Sequence, residues 1–431
     1  MAQPAQASAS AQPLPPAQLL VMKFGGTSVA DAERIKRAAR RIVAAKEAGS
    51  GVVAVLSARG KTTDELIEMA REVSDHPDPR EMDMLLSTGE RQSCALAAMV
   101  INDLGHGAIS FTGSQAGIVT DTSHTKARIL DVRADRIRDA LGDGKIVLVA
   151  GFQGVSTSAD VTTLGRGGSD TTAVALAAAL GADVCEIYTD VPGVFSADPR
   201  LVPQARKLSV VSFEEMLEMA ASGAGVLQLR SVEYARNHGV RIHCRSSFEE
   251  GAGTFVLDEQ ETMERPLVTA VTHSLGDARV TLTGLPDKPG IAGVVLTVLA
   301  EANVNVDDII QNEPVSADHR ADMSFTVPKD DLHNAVLALE PLKAELGIGE
   351  IATDDRIGKV SLVGAGMKSH PGVAAKAFRT LGDNNVNIEM ISTSTIKISC
   401  VIREDDVGTA VRALHTAFEL DDVGHDGANP Q

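Results

Sequence analysis

Residues 19–28 read LLVMKFGGTS, an apolar run that passes into a pair of glycines. Such a run is typical of a buried strand followed by a tight turn. Apolar residues then recur at the spacing of one helical face, at Ile35, Ala38, Ala39 and Ile42. Similar apolar runs predict strands at 51–56, 145–150 and 184–188, with helical stretches between them. This alternation predicts an α/β fold, in which helices cover both faces of a mostly parallel sheet.

A second pattern begins after Gly253, where one set of residues occurs twice. The first copy has VTLTG at 280–284, then Pro289-Gly290, and Asn305 sixteen residues after that proline. The second copy has VSLVG at 360–364, then Pro371-Gly372, and Asn387 at the same spacing. Each copy predicts a strand, a turn, an amphipathic helix, an Asn-containing turn and a strand, a module of βαβ type. Two copies are too few for a solenoid, which favours a paired regulatory domain.

The charge of the chain argues against several classes of partner. Its 431 residues carry 40 Lys and Arg against 58 Asp and Glu, a formal net charge of −18. Proteins that bind nucleic acids or anionic membranes neutralise phosphates with clustered Lys and Arg, so neither partner is expected. No apolar stretch of the sequence approaches the roughly 20 residues that span a bilayer. Four widely separated cysteines, without a C-x-x-C pair, indicate a reducing cytoplasm and neither disulfides nor a zinc site.

Composition also predicts the domain boundaries. Residues 1–18 form an uncharged Ala, Gln, Pro and Ser segment that we expect to be disordered, and 421–431 are expected to form a flexible tail. The α/β domain is expected at 19–260, the first module of the repeat at 266–354 and the second at 355–420.

The glycine pair in the first segment lies where a strand meets a helix. Backbone N–H groups at such a junction can hold phosphate oxygens, and Lys23 supplies a positive charge beside Gly25 and Gly26. Neither a P-loop nor the dinucleotide-binding fingerprint follows any predicted strand. A Gly-Gly pair is also common in turns that bind no ligand, so this segment alone leaves both interpretations open.

A second glycine-rich segment, GRGGSD at 165–170, runs into a predicted helix at 171–180. Ser169 or Asp170 is expected to be the N-cap of that helix. Three glycines around an arginine are hard to explain by folding alone, since glycine costs conformational entropy. Arg166 can bind a carboxylate in bidentate fashion, and Asp170 can organise metal-bound phosphates or an ammonium group.

Two more positions carry polar residues at the ends of predicted elements. Glu90 opens a helix, where it either complements the helix dipole or pairs with a substrate amine. Thr189 and Asp190 follow the strand at 184–188, and ligands of open α/β sheets bind outside the carboxyl ends of strands. The alternative is an ordinary turn at Pro192-Gly193.

Four segments in this order resemble one family. They are KFGGTS at 23–28, SFTGSQAG at 110–117, GRGGSD at 165–170 and YTD at 188–190. With the repeat, they resemble the aspartate kinases of the amino-acid kinase superfamily, whose C-terminal part holds paired ACT domains. The resemblance runs from about residue 19 to 419. It implies an amino-acid kinase fold followed by two α+β ACT-like modules.

The resemblance also implies a reaction, the transfer of the γ-phosphoryl of ATP, with Mg²⁺, to the side-chain carboxylate of L-aspartate. Phosphoryl transfer asks the protein mainly for positioning and charge neutralisation. The implied catalytic residues are Lys23 and Asp170, and no metal site made by the protein itself is implied. The implied substrate-binding residues are Ser57, Thr63, Glu90, Arg166, Gly167, Gly168 and Ser169. The implied nucleotide-binding residues are Lys23, Phe24, Gly25, Gly26, Thr189, Asp190 and Arg200.

Regulation is implied by the repeat, with lysine, threonine or both as effectors. The implied effector-binding residues are Asp287, Gly290, Ile291, Asn305, Gln311, Asn387 and Ile388. The modules are expected to pair in a homodimer. Met263 lies where relatives start a separate small subunit, so such a subunit is expected from an internal start.

The chain departs from the family pattern at three places. Gly225 stands where a nucleotide-side lysine is usual, Pro192 replaces the usual Asp before Gly193, and Thr395 replaces a common Glu. Two alternatives therefore stay open beside the aspartate kinase. One is a kinase of a related amino-acid carboxylate, and the other is a catalytically weak sensor of amino acids.

Overall fold

A computed structural model describes residues 19–258, 267–312 and 320–421. The expected N-terminal tail, Met263 and all but the first residue of the expected C-terminal tail lie outside the described residues. The chain divides into two compact units. The first comprises residues 19–194, 209–213 and 226–258, and the second holds the remaining described residues, including 195–208 and 214–225. The second unit thus contains two segments from within the α/β part of the sequence.

The first unit contains twelve described strands. They are β1 (Leu19–Phe24), β2 (Gly51–Leu56), β3 (Ala108–Phe111), β4 (Ile118–Thr120), β5 (Ile129–Val132), β6 (Ile146–Ala150), β7 (Gln153–Ser156), β8 (Val161–Thr163), β9 (Val184–Thr189), β10 (Val210–Ser212), β11 (Ile242–Ser246) and β12 (Thr254–Leu257). Eight form one sheet in the order β10-β12-β11-β9-β1-β2-β6-β3, in which the β11–β12 pair alone is antiparallel. The others form a small sheet, β5-β4-β7-β8. The predicted mostly parallel α/β sheet is confirmed.

Eight helices accompany these strands along the chain. They are α1 (Ala32–Glu47), α2 (Thr62–Val73), α3 (Pro79–Leu86), α4 (Thr88–Asp103), α5 (Asp135–Gly142), α6 (Gly168–Leu180), α7 (Phe213–Ala221) and α8 (Leu229–His238). In α1, the four apolar residues predicted to share a face are all buried. They pack in one core with residues of β1, β2 and β6. The Ala-rich helix α6 is buried along most of its length, which small side chains permit.

The N-cap prediction for α6 is wrong. Gly167 is the N-cap, with a left-handed φ of +76°, so the helix begins at Gly168. Ser169 and Asp170 therefore lie inside the first turn, and no side chain caps the helix. A left-handed φ is costly for residues other than glycine, and the sequence pattern did not indicate that the backbone turns here. The change frees both polar side chains for other contacts.

The second unit contains the repeat. Its first copy comprises β14 (Asp277–Pro286), α9 (Ile291–Glu301), β15 (Asp307–Gln311), β16 (Arg320–Pro328), α10 (Leu332–Leu346) and β17 (Glu350–Asp354). The second copy comprises β18 (Ile357–Val363), α11 (Val373–Asp383), β19 (Met390–Thr393), β20 (Lys397–Arg403) and α12 (Val407–Ala417). The strand β13 (Ala270–Ser274), which precedes the first copy in sequence, belongs to the sheet of the second copy. Two antiparallel sheets result, β15-β16-β14-β17 and β13-β18-β20-β19. The two-copy repeat is confirmed. Beyond the predicted pattern, the first copy adds two strands and a helix, and the second adds one strand and a helix besides β13.

The Pro-Gly turns begin the first helix of each copy, as predicted. Gly290 is the N-cap of α9 and Gly372 is the N-cap of α11, with left-handed φ angles of +96° and +102°. No side chain caps either helix. Backbone N–H groups in the first turn of each helix are therefore available to a ligand. Within the described ranges, no helix is long and apolar enough to cross a membrane.

A buried lysine joins the two copies of the repeat. Lys359 of β18 donates to Asp307 over 2.8 Å and to Asp308 over 3.2 Å, and its side chain is 3% exposed. Asp308 also accepts a hydrogen bond from Ser392 of β19. Both carboxylates lie on β15, the strand that follows Asn305. The lysine thus holds this strand of the first copy to the sheet of the second.

We expect Lys359→Met to lower the free energy of unfolding by about 3 kcal/mol, because it leaves the buried carboxylate of Asp308 without its cation. Urea denaturation of the full chain measures this change. Lys343→Met is the matched control, since Lys343 is a half-exposed lysine on α10 whose Glu340 partner lies 3.9 Å away. A loss for Lys359→Met no larger than that of the control contradicts the role of the buried lysine.

Candidate functional site

The carboxyl ends of five strands lie at one edge of the large sheet. Phe24, the last residue of β1, pairs with Leu56 of β2 and with Tyr188 of β9. Ala150 of β6 pairs with Leu56 in turn, and Ser246 of β11 pairs with Thr189. The turns that leave these strands therefore meet at this edge. They begin at Gly25, Ser57, Gly151, Asp190 and Ser247.

An ion pair joins the two glycine-rich segments at this edge. Lys23 Nζ lies 2.5 Å from Asp170 Oδ1, and the two side chains are 12% and 8% exposed. Lys23 comes from the end of β1 and Asp170 from the first turn of α6. A cation and an anion are thus fixed together beside the N-terminus of a helix, where anionic groups are favoured.

The glycine pair allows close backbone approach. A Cβ at Gly26 would lie 2.9 Å from the Ala58 carbonyl oxygen, so the turn after β2 leaves no room for a side chain. A Cβ at Gly25 would lie 3.5 Å from Lys23 Nζ. Phe24, between Lys23 and the glycines, is buried, and its ring stacks on Tyr188 at 4.8 Å between centroids. Phe24 can therefore reach a nucleotide only through its backbone.

Glu90 is a buried carboxyl group with one unsatisfied oxygen. It lies in the first turn of α4 and is 3% exposed. Oε1 accepts a hydrogen bond from the Ala58 amide over 3.2 Å, while Oε2 is buried and has no partner among the residues that the structure describes. Burial raises the pKa of Glu90 to about 7. Complementing a helix dipole requires neither burial nor an unsatisfied oxygen, so this environment favours the alternative of a substrate amine.

The turn between β2 and α2 contains Ala58, whose amide N–H donates a hydrogen bond to Glu90. Ser57 begins this turn, and Thr63 lies half-buried in the first turn of α2. Their hydroxyl groups thus belong to the segment that Glu90 anchors.

The loop with Arg166 is shaped by glycines on both sides. Gly165 and Gly167 have positive φ angles of 79° and 76°. A Cβ at Gly167 would lie 2.2 Å from Cγ of Gln228, so this side chain packs directly on the loop. Arg166 itself is exposed and makes no hydrogen bond or ion pair with the described part of the chain. Its guanidinium is free to bind a carboxylate.

Ser169 lies against the turn after β6, where sequence reasoning missed a glycine. A Cβ at Gly151 would lie 2.8 Å from Ser169 Oγ. Glycine at this position therefore lets the start of α6 approach the sheet edge. The available signal was positional, since Gly151 follows a predicted strand as Gly25 does. Gly168 allows a similar approach, because a Cβ there would lie 2.8 Å from Cβ of Leu164.

A second residue that the sequence analysis did not identify is a buried carboxylate that supports the Arg166 loop. Asp83 of α3 accepts hydrogen bonds from His124 Nδ1 over 2.7 Å and from Thr163 Oγ1 over 2.5 Å. It also accepts one from the Thr125 amide. The Thr125 carbonyl oxygen would lie 3.1 Å from a Cβ at Gly165. No local signal marks Asp83, because its partners are about forty and eighty residues away in sequence.

The candidate nucleotide residues are divided between the two units. Thr189 ends β9, and its hydroxyl donates to Asp190 over 3.1 Å. Arg200 belongs to the second unit, where its guanidinium binds the carboxylate of Asp198. Gly225 is also in the second unit, and a Cβ there would have open space around it. The backbone therefore does not require glycine in place of the family's lysine.

The candidate effector residues lie at the start of α9, around β15 and in the turn after α11. Asp287 and Gly290 are exposed before α9, and Ile291 is its first residue. Asn305 is exposed two residues before β15, and Gln311, the last residue of β15, is exposed as well. In the second copy, Asn387 is exposed and Ile388 half-buried, both between α11 and β19.

Comparison with known proteins identifies the family. The amino acid kinase family matches residues 18–246, and the ACT domain matches residues 279–347 and 360–418. An aspartokinase of Mycolicibacterium smegmatis is 58% identical over 405 residues, which cover 93% of this chain and 96% of that protein.

Two crystal structures of E. coli aspartokinase III are also similar, each 26% identical and each covering 93% of this chain and 99% of its own. The complex with aspartate and ADP, in the R-state, has a TM-score of 0.80. The complex with lysine and aspartate, in the T-state, has a TM-score of 0.71. This chain belongs to the aspartokinases, ATP-dependent kinases in which an amino acid kinase domain is followed by two ACT domains.

Proposed function

We propose that this chain transfers the γ-phosphoryl of ATP to the side-chain carboxylate of L-aspartate, giving 4-phospho-L-aspartate for the synthesis of lysine, threonine and methionine. The observation that carries the proposal is the pairing of Lys23 with Asp170 at the edge where Glu90 has an unsatisfied carboxylate oxygen. E. coli aspartokinase III binds aspartate and ADP, which supports the same substrate and nucleotide here.

Lys23 and Asp170 carry the phosphoryl step in this proposal. The ammonium of Lys23 neutralises charge on the transferring group, and Asp170 holds that ammonium in place. Gly25 and Gly26 offer backbone N–H groups to phosphate oxygens.

Mg²⁺ enters with the phosphates of ATP. Among the described residues, no three His, Cys, Asp or Glu side chains form a group that could hold a metal ion. A single carboxylate such as Asp170 fits the usual binding of Mg²⁺ by one or two carboxylates together with substrate phosphates. When bound, Mg²⁺ neutralises phosphate charge.

The two ends of the amino acid are bound by opposite charges. Glu90 accepts hydrogen bonds from the α-ammonium group, and Arg166 binds the α-carboxylate in bidentate fashion. Ser57, Thr63 and Ser169 face the reacting carboxylate, with the backbone of Gly167 and Gly168 beside them. A buried acidic partner favours a free amine over an acylated one, which supports L-aspartate over an N-acylated relative.

The nucleotide is held by the turn after β9. Thr189 and Asp190 supply polar groups at the sheet edge, and Arg200 adds a cation. Since Lys23, Arg166 and Asp170 are all in place, we favour an active kinase over a weak sensor despite Gly225.

The ACT modules bind lysine, threonine or both and inhibit the kinase. Free N–H groups at the starts of α9 and α11 can hold an amino-acid carboxylate, and Asp287 can bind its amine. The complex of E. coli aspartokinase III with lysine supports an amino acid in this role.

We also propose a homodimer that forms through the ACT modules, a small subunit from Met263, and a cytoplasmic location. The four cysteines are free and buried, which is compatible with a reducing compartment.

We expect Lys23→Ala to lower kcat by about 10²–10³ with a smaller change in the KM for aspartate, because its charge acts mainly in the transition state. Steady-state kinetics measure both constants. Lys36→Ala is the control, since Lys36 is a half-exposed lysine paired with Glu33. The melting temperature of Lys23→Ala, measured beside that of the wild type, separates a loss of kcat from a folding defect, because the variant leaves the carboxylate of Asp170 without its cation. Wild-type kcat in Lys23→Ala excludes the lysine from the mechanism.

We expect Glu90→Gln to raise the KM for aspartate about tenfold or more while the KM for ATP changes little, because a charged hydrogen bond to the ammonium is lost. Glu33→Gln is the matched control, because Glu33 lies in the first turn of α1 and is 74% exposed. Equal rises in the KM for aspartate and the KM for ATP would mean that Glu90 only stabilises the start of its helix and does not bind the substrate amine.

The pH dependence follows from the raised pKa. Below about pH 7, the empty enzyme holds Glu90 protonated, and a protonated carboxyl group binds an ammonium poorly. The kcat/KM for aspartate is therefore expected to fall about tenfold per pH unit below this pKa, and Glu90→Gln is expected to lose this limb. A wild-type profile that stays flat between pH 5 and 7 contradicts a Glu90 titration near 7.

We expect lysine, threonine or the pair to inhibit the wild type, and Asp287→Ala to relieve that inhibition. A tenfold inhibition needs about 1.4 kcal/mol of preference for an inactive state. Asp330→Ala is the control, because Asp330 is an exposed aspartate in the same module. If neither amino acid changes the rate or the melting temperature, the modules are not effector sites.

A further inference from the structure

A strained segment lies along the loop that carries Arg166. We call residues 164–167 the Arg166 loop and residues 124–127 the support segment. Thr125 has a left-handed φ of +66°, which is rare for a β-branched side chain and costs free energy. Its carbonyl oxygen would be 3.1 Å from a Cβ at Gly165, so the support segment packs directly on the Arg166 loop.

Asp83 of α3 holds the support segment through hydrogen bonds. Both of its carboxylate oxygens lie 3.1 Å from the Thr125 amide nitrogen, and Oδ2 accepts a hydrogen bond from His124 Nδ1 over 2.7 Å. Oδ1 also accepts from the hydroxyl of Thr163, the last residue of β8 and the one before the Arg166 loop. Asp83 is fully buried and pairs with no Lys or Arg among the described residues. Its charge is therefore stabilised by hydrogen bonds from the support segment and β8.

Arg230 of α8 joins the support segment to the Arg166 loop. Its guanidinium donates to the Leu164 carbonyl oxygen over 2.9 Å and to the Ala127 carbonyl oxygen over 2.8 Å. Arg230 is half-buried and pairs with no carboxylate in the part of the chain that the structure describes. Burial lowers the pKa of its guanidinium. One cation thus ties the two segments together through their backbone.

The start of α8 contacts the Arg166 loop a second time. Gln228 is the N-cap of α8, and its Cγ would lie 2.2 Å from a Cβ at Gly167. Gly165 and Gly167 both have left-handed φ angles, and glycine has little intrinsic preference for one conformation. A loop with two such glycines keeps one shape only when its surroundings fix it. Arg166 has no hydrogen bond or ion pair within the described residues, so its direction depends on the loop backbone.

Folding alone gives a weak account of these contacts. A buried or half-buried ion without a counterion costs desolvation free energy, and apolar residues of similar volume often stabilise a fold as well or better. The strain at Thr125 adds a further cost. Such costs are typical of segments that hold a functional group in one position.

We propose that Asp83 and Arg230 are positioning residues, which hold the Arg166 loop on the support segment so that the guanidinium of Arg166 meets the α-carboxylate of the substrate. The inference rests on the proposed function, in which Arg166 binds that carboxylate. Asp83 and Arg230 do not touch the substrate in this account, and both act on its affinity through the loop.

Kinetics of Arg230 variants test this role. Arg230→Met removes both hydrogen bonds, and we expect it to raise the KM for aspartate about three- to tenfold, while the KM for ATP stays within about twofold. Arg230→Lys keeps a cation that can reach one carbonyl oxygen, so it is expected to restore part of the aspartate affinity. Arg236→Met changes an exposed arginine of the same helix and is the control. An unchanged KM for aspartate in folded Arg230→Met, or equal rises in the KM for aspartate and the KM for ATP, overturns the proposal.

Asp83→Asn tests the anion. It keeps the shape of the side chain but replaces one accepting oxygen by an NH₂ group, which opposes the donors around it. The KM for aspartate is expected to rise as in Arg230→Met, with the KM for ATP again within about twofold. Asp139→Asn, at an exposed aspartate of α5, is the control. A folded Asp83→Asn variant with the KM of the wild type for aspartate contradicts the role of Asp83.

A double-mutant cycle separates positioning from a general effect on the fold. If Arg230 acts through Arg166, Arg230→Met is expected to change the KM for aspartate by less than about twofold in a chain that already carries Arg166→Met. Fold-changes that multiply in the double variant overturn the proposal, because Arg230 then acts without Arg166. A KM for aspartate that Arg166→Met leaves unchanged contradicts the assignment of Arg166 in the proposed function, and the inference fails with it.

Discussion

The ion pair between Lys23 and Asp170 joins the first strand of the sheet to the first turn of α6. Two charges that are both nearly buried stay there only when they are paired, so each residue requires the other. The pair also requires glycines around it, because α6 must reach the sheet edge at Gly151 and the turn after β2 must approach Gly26. The site is thus a consequence of how closely backbone segments can pack around one ion pair.

Glu90 and Asp83 extend the same physical principle. Each is a polar group that burial makes costly unless a specific partner satisfies it. Glu90 has a partner for one oxygen only, which leaves the other for a substrate. Both oxygens of Asp83 have partners, so this carboxylate fixes the position of the backbone around it. Satisfied and unsatisfied buried groups therefore separate structural from binding roles in this chain.

Local pattern was sufficient to predict β1, β2, β6, β9, the helix α1 and the repeat, because apolar periodicity is a short-range property of the sequence. It was insufficient for the start of α6, where a left-handed Gly167 moves the N-cap two residues back from Ser169. It also missed Asp83, whose partners are distant in sequence. The insertion of residues 195–208 into the second unit has no sequence signal either, since its apolar residues resemble those of any loop that packs on a core.

The most direct measurement is a hydroxamate assay, in which hydroxylamine traps the acyl phosphate formed from ATP and a panel of acceptors. The panel contains L-aspartate, N-acetyl-L-aspartate and L-glutamate, which differ in the amine and in chain length. The account predicts ATP-dependent hydroxamate with L-aspartate and little with the other two, because Glu90 needs a free ammonium and the similar E. coli aspartokinase III binds aspartate. Faster reaction with N-acetyl-L-aspartate or L-glutamate, or no product with L-aspartate, would contradict it.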